Sequence, residues 1–357
     1  MFSIQVILYR LLAKMQRQLK CFFLLGTLLI TFFIICWDSR RERTFYWPTA
    51  SSPNLTHLKM QQEHRKHVIR ELCSTSSGLN FEEKLMTFDQ IPNKALDHLI
   101  VDDQHGVIYC YVPKVACTNW KRVMIVLSQN LKAPDGARYL DPLDIPYKIT
   151  HNSTVHKTFN KLWMRFGRFA RPLMHHKLKN YTKFLFVRDP FVRLISAFRD
   201  KFVKPDEYFY SRYGSTMLQR YANISKLPDS AQEAFAAGIR LSFTHFIKYL
   251  LDPQTEKEKP FNEHWQQMYR LCHPCQIEYD FVGKLETLDE DTEHLLKILG
   301  LDNYIRFPPG YENRTAKDWE QEWFANISVS DRRKLYHLYE TDFKLFEYEK
   351  PETLLDV

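Results

Sequence analysis

Glycine is scarce, at 10 among 357 residues, and no low-complexity tract or internal repeat runs along the chain. Those absences exclude a fibrous or intrinsically disordered protein. No Gly-Lys-Ser/Thr ending of a Walker loop occurs anywhere, and no acid is obviously placed for magnesium. A nucleoside triphosphatase, kinase or nucleotidase is therefore a poor reading. Cys272-His273-Pro274-Cys275 has the spacing of half a zinc site or a redox pair, but no second such pair exists. A structural zinc is disfavoured on that count, and no metal is expected.

What is present is ample core material: 45% of residues are hydrophobic and 15% aromatic. The length fits one large domain with accessories or two small domains. The formal net charge is +8. Arg10, Lys14, Arg17 and Lys20 precede the first apolar run with no acid among them, which leaves about +4 for the remainder. Such an excess suits an anionic ligand, but by itself it describes a solvated basic surface equally well.

Residues 21–37 form a run of 17 without a charge. That is short but sufficient for a spanning helix. Its positive flank predicts a cytoplasmic amino terminus. A cleaved signal peptide is the alternative. However, the run ends in Ile34-Ile35-Cys36-Trp37, which suits no small-residue cleavage site. Six sequons, at Asn54, Asn152, Asn180, Asn223, Asn313 and Asn326, all lie beyond the run. They agree with a lumenal, glycosylated carboxyl-terminal part. Cys73, Cys110, Cys117, Cys272 and Cys275 lie on that side too. In an oxidising lumen some should pair, the odd count leaves one over, and a local or a distant partner for the Cys272–Cys275 pair stays open.

The expected organisation is a cytoplasmic tail over 1–20, a transmembrane signal-anchor over 21–37, a polar stem over 38–95 and a catalytic domain over 96–357. A helix around residues 58–72 is expected within the stem. Three strand-to-helix units stand out in the domain. Residues 107–112 form an apolar run, followed by Trp120, Val123, Met124 and Leu127 at helical spacing. Residues 184–187 form a buried-type strand, followed by Phe191, Leu194, Ile195, Phe198 and Phe202 on one helical face, with Asp189 as cap and Pro190 at the first position. Residues 279–283 precede Leu295, Leu296, Ile298 and Leu299. This alternation predicts an α/β fold with a parallel sheet flanked by helices and ligands at the carboxyl ends of the strands.

Two segments carry chemistry. Pro113, Lys114, Val115, Ala116, Cys117, Thr118 and Asn119 end a strand and open a helix. Backbone N–H groups at a helix start favour phosphate, Lys114 adds a cation, and Thr118 adds a hydroxyl. Arg188 ends the second strand and begins the stretch Arg188, Asp189, Pro190, Phe191, Val192, Arg193, Leu194, Ile195 and Ser196. The fork of Arg188 matches a phosphate, and Ser196 lies two helical turns on. Taken alone, Arg188 reads better as half of a structural ion pair.

Taken together, the two segments resemble the phosphate sites of sulfotransferases that use 3′-phosphoadenosine 5′-phosphosulfate (PAPS). Residues 111–127, 183–201 and 261–291 are similar to the HNK-1-type carbohydrate sulfotransferases. The last of these includes Phe-Asn-Glu-His-Trp at 261–265 and Leu-Cys-His-Pro-Cys at 271–275. Phe307-Pro308-Pro309 and Lys350-Pro351-Glu352 also fit, and within the group the chain looks most like the chondroitin 4-O-sulfotransferases. The resemblance spans roughly residues 97–357. It implies a P-loop-like sulfotransferase fold and a Golgi membrane protein of single-pass type II. It also implies that residues 113–119 hold the 5′ side of PAPS and 188–196 the 3′ side.

The implied reaction is attack of a sugar hydroxyl on sulfur. Lys114 is the cation for the leaving oxygen. The implied acceptor is N-acetylgalactosamine in chondroitin, at its 4-hydroxyl, with dermatan as a second acceptor. For the base, His156 lies between the two segments in chain order, as the base does in the related uronosyl 2-O-sulfotransferase. His151, His175, His176 and His264 compete with it. The alternatives are a sulfotransferase for another Golgi glycan and a membrane-tethered glycosaminoglycan-binding protein without turnover. A degenerate binder would have no need of the intact set Lys114, Thr118, Arg188 and Ser196. No nucleic-acid partner is implied.

Overall fold

The computed structural model describes residues 53–74, 79, 81–310 and 319–356. The expected tail and anchor lie outside them, and no helix among the described residues is long and apolar enough to cross a membrane.

The three expected strand-to-helix units form. β1 (Leu99–Asp102), β2 (Val107–Cys110), β3 (Thr182–Val187) and β4 (Phe281–Lys284) make one sheet in the order β1-β2-β3-β4. Helices of eight residues or more are α1 (Pro53–Cys73), α2 (Cys117–Ser128), α3 (Phe159–Phe166), α4 (Ala170–Asn180), α5 (Pro190–Phe202), α6 (Phe243–Leu251), α7 (Leu288–Ile298) and α8 (Val329–Leu345). β2, β3 and β4 are parallel, pairing Cys110 with Leu185 and Val187 with Lys284. Their carboxyl ends therefore open on the same side of the sheet.

The sheet is mixed rather than all parallel, because β1 runs antiparallel to β2. The reason is local. Only a short turn separates the two strands, too short for a crossover helix. Gly106 takes the left-handed φ of +63° that closes it. Asp102 pins the turn by accepting from the backbone N–H groups of Gln104 and His105.

One apolar core wraps the sheet. Tyr109, Trp120, Phe184 and Phe186 pack there with ring centroids 4.7–6.3 Å apart. Gly283 faces Phe186 so closely that a Cβ would stand 2.2 Å from its ring. A second core, around the fully buried Trp265, joins α5, α6 and α8.

The segment expected as stem contributes structure from Pro53 onward. Gln62 of α1 donates to the carbonyl of Val282 and accepts from its N–H. It thereby satisfies the outer edge of β4 as a neighbouring strand would. Arg65 bonds the same carbonyl at 2.8 Å and pairs with fully buried Asp291 at 2.9 Å. Cys73 is bridged to Cys275, and Cys110 to Cys272. The Cys272–Cys275 pair thus takes two distant partners, and Cys117 is the thiol left over.

Candidate active site

β2 ends at Cys110 and the chain turns through residues 111–116 into α2. Lys114 and Ala116 hold left-handed φ values of +71° and +51° without being glycine. Such a turn points backbone N–H groups into a concavity that suits an anion. Ala116 stands at the N-cap of α2 and brings no side-chain cap; the N–H of Asn119 donates to the Ala116 carbonyl, and the N–H groups of Cys117 and Thr118 ahead of it suit a ligand. The loop thus takes left-handed turns with ordinary residues where a Walker loop uses glycine.

β3 delivers Arg188 beside this loop. Its Nη1 donates to the carbonyl of Lys114 at 3.2 Å. Asp189 caps α5, accepting from the N–H groups of Phe191 and Val192. Its own N–H donates to Glu286, just beyond β4. Pro190 fixes the first turn. Ser196 is partly exposed on α5, one turn before Asp200 on the same face. Asp200 binds the Lys114 ammonium at 3.0 Å and Lys201 at 3.0 Å. Lys114 and Arg188 therefore meet at the carboxyl ends of β2 and β3, with Ser196 further along α5 on the face that carries Asp200. Thr118 lies on α2, its hydroxyl 2.9 Å from His151 Nε2.

Electrostatics suit an anion. Burial pulls Lys114 below the usual lysine range, against the attraction of Asp200. Burial pushes the Asp200 carboxyl up, but Lys114 and Lys201 outweigh it and hold the group low. Asp200 thus stands where an anionic ligand would release it from Lys114.

Several residues expected on the ligand keep their side chains in the core. Val115, Phe191, Leu194 and Ile195 are fully buried, and Val192 nearly so. Their side chains belong to the core and hold α5 in place. Arg193 is buried and spent on three carbonyls, those of Pro113, Glu263 and Gln266, at 3.0, 2.7 and 2.7 Å. The side chain of Asn119 donates to the carbonyls of Pro308 and Pro309. Cys117 is partly exposed at the first turn of α2.

His156 is buried, and its Nε2 lies 2.8 Å from the carbonyl of Thr150. A carbonyl only accepts, so that nitrogen carries the proton and cannot take one. Burial lowers the ring to about 4. The base role expected of His156 is thus denied to the nitrogen it presents. His175 pairs with Asp89, and His176 sits against Asn180, both on the surface.

Sequence reasoning did not single out Asp200, Lys201 or Glu263. Asp200 carried a readable signal, lying one turn beyond Ser196. Glu263 is held between the Tyr111 hydroxyl at 3.1 Å and His98 at 3.4 Å, which no local pattern announces. Among the described residues, no group of three or more His, Cys, Asp or Glu side chains could hold a metal ion. The four described sequon asparagines, Asn152, Asn180, Asn223 and Asn326, are exposed. The side chains of Asn54 and Asn313 lie outside the described residues.

Residues 97–349 match the Sulfotransferase family. Carbohydrate sulfotransferase 12 of Mus musculus is 60% identical over 313 residues, covering 88% of this chain and 74% of that one. Its Xenopus laevis counterpart is 59% identical over 84% of this chain and 71% of its own. Carbohydrate sulfotransferase 11 of Rattus norvegicus is 41% identical, over 84% and 79% respectively. No solved structure matches. A family match over residues 97–349 and relatives 59–60% identical over most of this chain make it a member of the sulfotransferase family and a carbohydrate sulfotransferase enzyme.

Proposed function

We propose that this enzyme transfers sulfate from PAPS to the 4-hydroxyl of N-acetylgalactosamine in chondroitin, with dermatan as a second acceptor. The observation that carries the donor half is the meeting of Lys114 and Arg188 beside the start of α2, which no side chain caps. The family implies PAPS as donor, and these residues fit it. One cationic, N–H-lined loop suits the 5′ phosphosulfate, and one arginine with a hydroxyl suits the 3′ phosphate. PAPS supplies an activated sulfuryl group. Lys114 neutralises charge that develops on the leaving oxygen, while the N–H groups of α2 and the Thr118 hydroxyl orient the phosphate. Arg188 grips the far phosphate and braces the loop through the Lys114 carbonyl.

The acceptor assignment rests on the likeness to chondroitin 4-O-sulfotransferases across residues 111–127, 183–201 and 261–291. The Golgi setting, as a single-pass type II membrane glycoprotein, rests on the apolar run at 21–37 and on the sequons. Four exposed sequon asparagines and two disulfides support a lumenal catalytic domain. The test is incubation of the full chain with radiolabelled PAPS and desulfated chondroitin or dermatan, followed by disaccharide analysis. Label at the 4-position of N-acetylgalactosamine is expected. Label confined to another position or another glycan would overturn the acceptor assignment.

A further inference from the structure

The Phe-Asn-Glu-His-Trp stretch at 261–265 has no part in gripping the donor, yet the structure bolts it to the donor loop. The Arg193 guanidinium bridges them, bonding Pro113 on one side and Glu263 and Gln266 on the other. Glu263 is also tied to Tyr111, just past the end of β2. The neighbouring Trp265 is fully buried, and its carbonyl accepts from the Tyr339 hydroxyl. The main chain through His264 is thus fixed on both sides. The side chain is reached from Lys114 by an unbroken series of contacts. Asp200 joins Lys114 and Lys201. The Lys201 ammonium lies 4.7 Å from the Phe209 ring centre, and that ring meets the His264 imidazole edge-on at 5.5 Å.

The tautomer of His264 follows from its partner. Asn262 Oδ1 accepts from the backbone N–H of His264 at 3.1 Å, and a backbone N–H can only donate. The atom is therefore the oxygen. The same oxygen lies 2.6 Å from His264 Nδ1, so Nδ1 carries the proton and Nε2 carries the lone pair. Asn262 is itself oriented by donating to the Tyr213 hydroxyl at 3.2 Å. The three other histidines near the site are engaged, His98 with the Tyr111 carbonyl, His151 with the Thr118 hydroxyl and His156 with a carbonyl.

We propose that His264 is the general base of the transfer, with Asn262 and Tyr213 as the residues that position it. The inference rests on the donor reading given above. As the acceptor oxygen forms its bond to sulfur, the hydroxyl proton passes to His264 Nε2. The sulfur–oxygen bond to the 5′-phosphate breaks with its electron pair on the departing oxygen, which leaves as adenosine 3′,5′-bisphosphate facing Lys114. The groups facing the ring are Glu263 on its own segment, Lys201 and Asp200 on α5, and Lys114 on the loop. Burial lowers the imidazole to about 3 against the pull of Glu263, so the ring is unprotonated at neutral pH.

The test uses the full chain with adenosine 3′,5′-bisphosphate, PAPS and desulfated chondroitin. His264→Ala should bind the bisphosphate as the parent does, by calorimetry, and lose about 10²–10⁴-fold in kcat. Added imidazole should restore part of the rate. Asn262→Asp places a carboxylate on Nδ1–H and raises the imidazole. Because the base works unprotonated, the acid side of the kcat–pH profile should move to higher pH. Tyr213→Phe should lower kcat with KM for PAPS unchanged. A His264→Ala enzyme that keeps kcat within about threefold of the parent, or an Asn262→Asp profile that does not move, overturns the assignment. So does loss of bisphosphate binding in His264→Ala, which would make the residue part of the donor site. Failure of the parent itself to bind the bisphosphate would sink the donor reading instead.

Discussion

The exit of β2 and the exit of β3 meet at one site and are built by opposite means. After β2 the chain bends through two non-glycine residues in left-handed conformation and presents a lysine held by an exchangeable partner. After β3 it is locked at once by an aspartate cap, a proline and a helix whose first residues are all buried. The first exit stores strain and holds its lysine by one ion pair to an exposed aspartate. The second forgoes movement and fixes an arginine. Two strand exits that meet at one site do not require a shared architecture: on the reading proposed above, a cation that follows developing charge needs slack, and one that only anchors does not.

The comparison can be broken most forcefully at Arg193, which joins the two exits. Arg193→Met leaves three carbonyls without their donor and should cost about 3–5 kcal/mol of stability, read from urea unfolding. A variant that unfolds like the parent would show that the two exits are held apart from one another. Lys114→Ala should behave differently, losing about 10²–10³-fold in kcat with little change in the unfolding midpoint. Full activity there would remove the role given to the mobile charge. Asp189→Ala tests the rigid exit and should cost about 1 kcal/mol through the lost cap. The finest contrast is alanine to glycine at both exits. At Ala116 it relieves left-handed strain and should raise stability by up to about 1 kcal/mol. At Ala197 inside α5 it should lower stability by about 1 kcal/mol. Equal shifts at the two positions, measured by thermal unfolding, would erase the distinction.

The rigid exit was the readable one. Asp189, Pro190 and the apolar face from Phe191 to Phe202 are local signals, and α5 forms as they dictate. Both other strand-to-helix units were legible for the same reason. Local signals could not say which side of α5 meets ligand. Phe191, Val192, Leu194 and Ile195 therefore read as site residues although they line the core. Nor could they separate Arg188 from Arg193, since both are arginines near a strand end. Only the fold shows that Arg193 is spent on carbonyls from two distant segments. Among the histidines, chain order favoured His156, whereas the deciding contacts of His264 run to Asn262, Phe209 and Arg193-bound backbone. β1 escaped notice because a four-residue strand closed by a short turn leaves little periodicity to read.

The clasp that α1 lays on β4 has a practical consequence for anyone trimming this protein for secretion. A cut at residue 96 would look natural from composition, yet it would unmask the backbone groups of Val282 along a sheet edge ready to recruit another chain. It would also strand the Asp291 carboxylate inside the protein and release the thiol of Cys275 to scramble with its neighbour Cys272. A cut ahead of Pro53 avoids all three faults, and its product should leave a secretory cell as a monodisperse, correctly oxidised species where the shorter one aggregates.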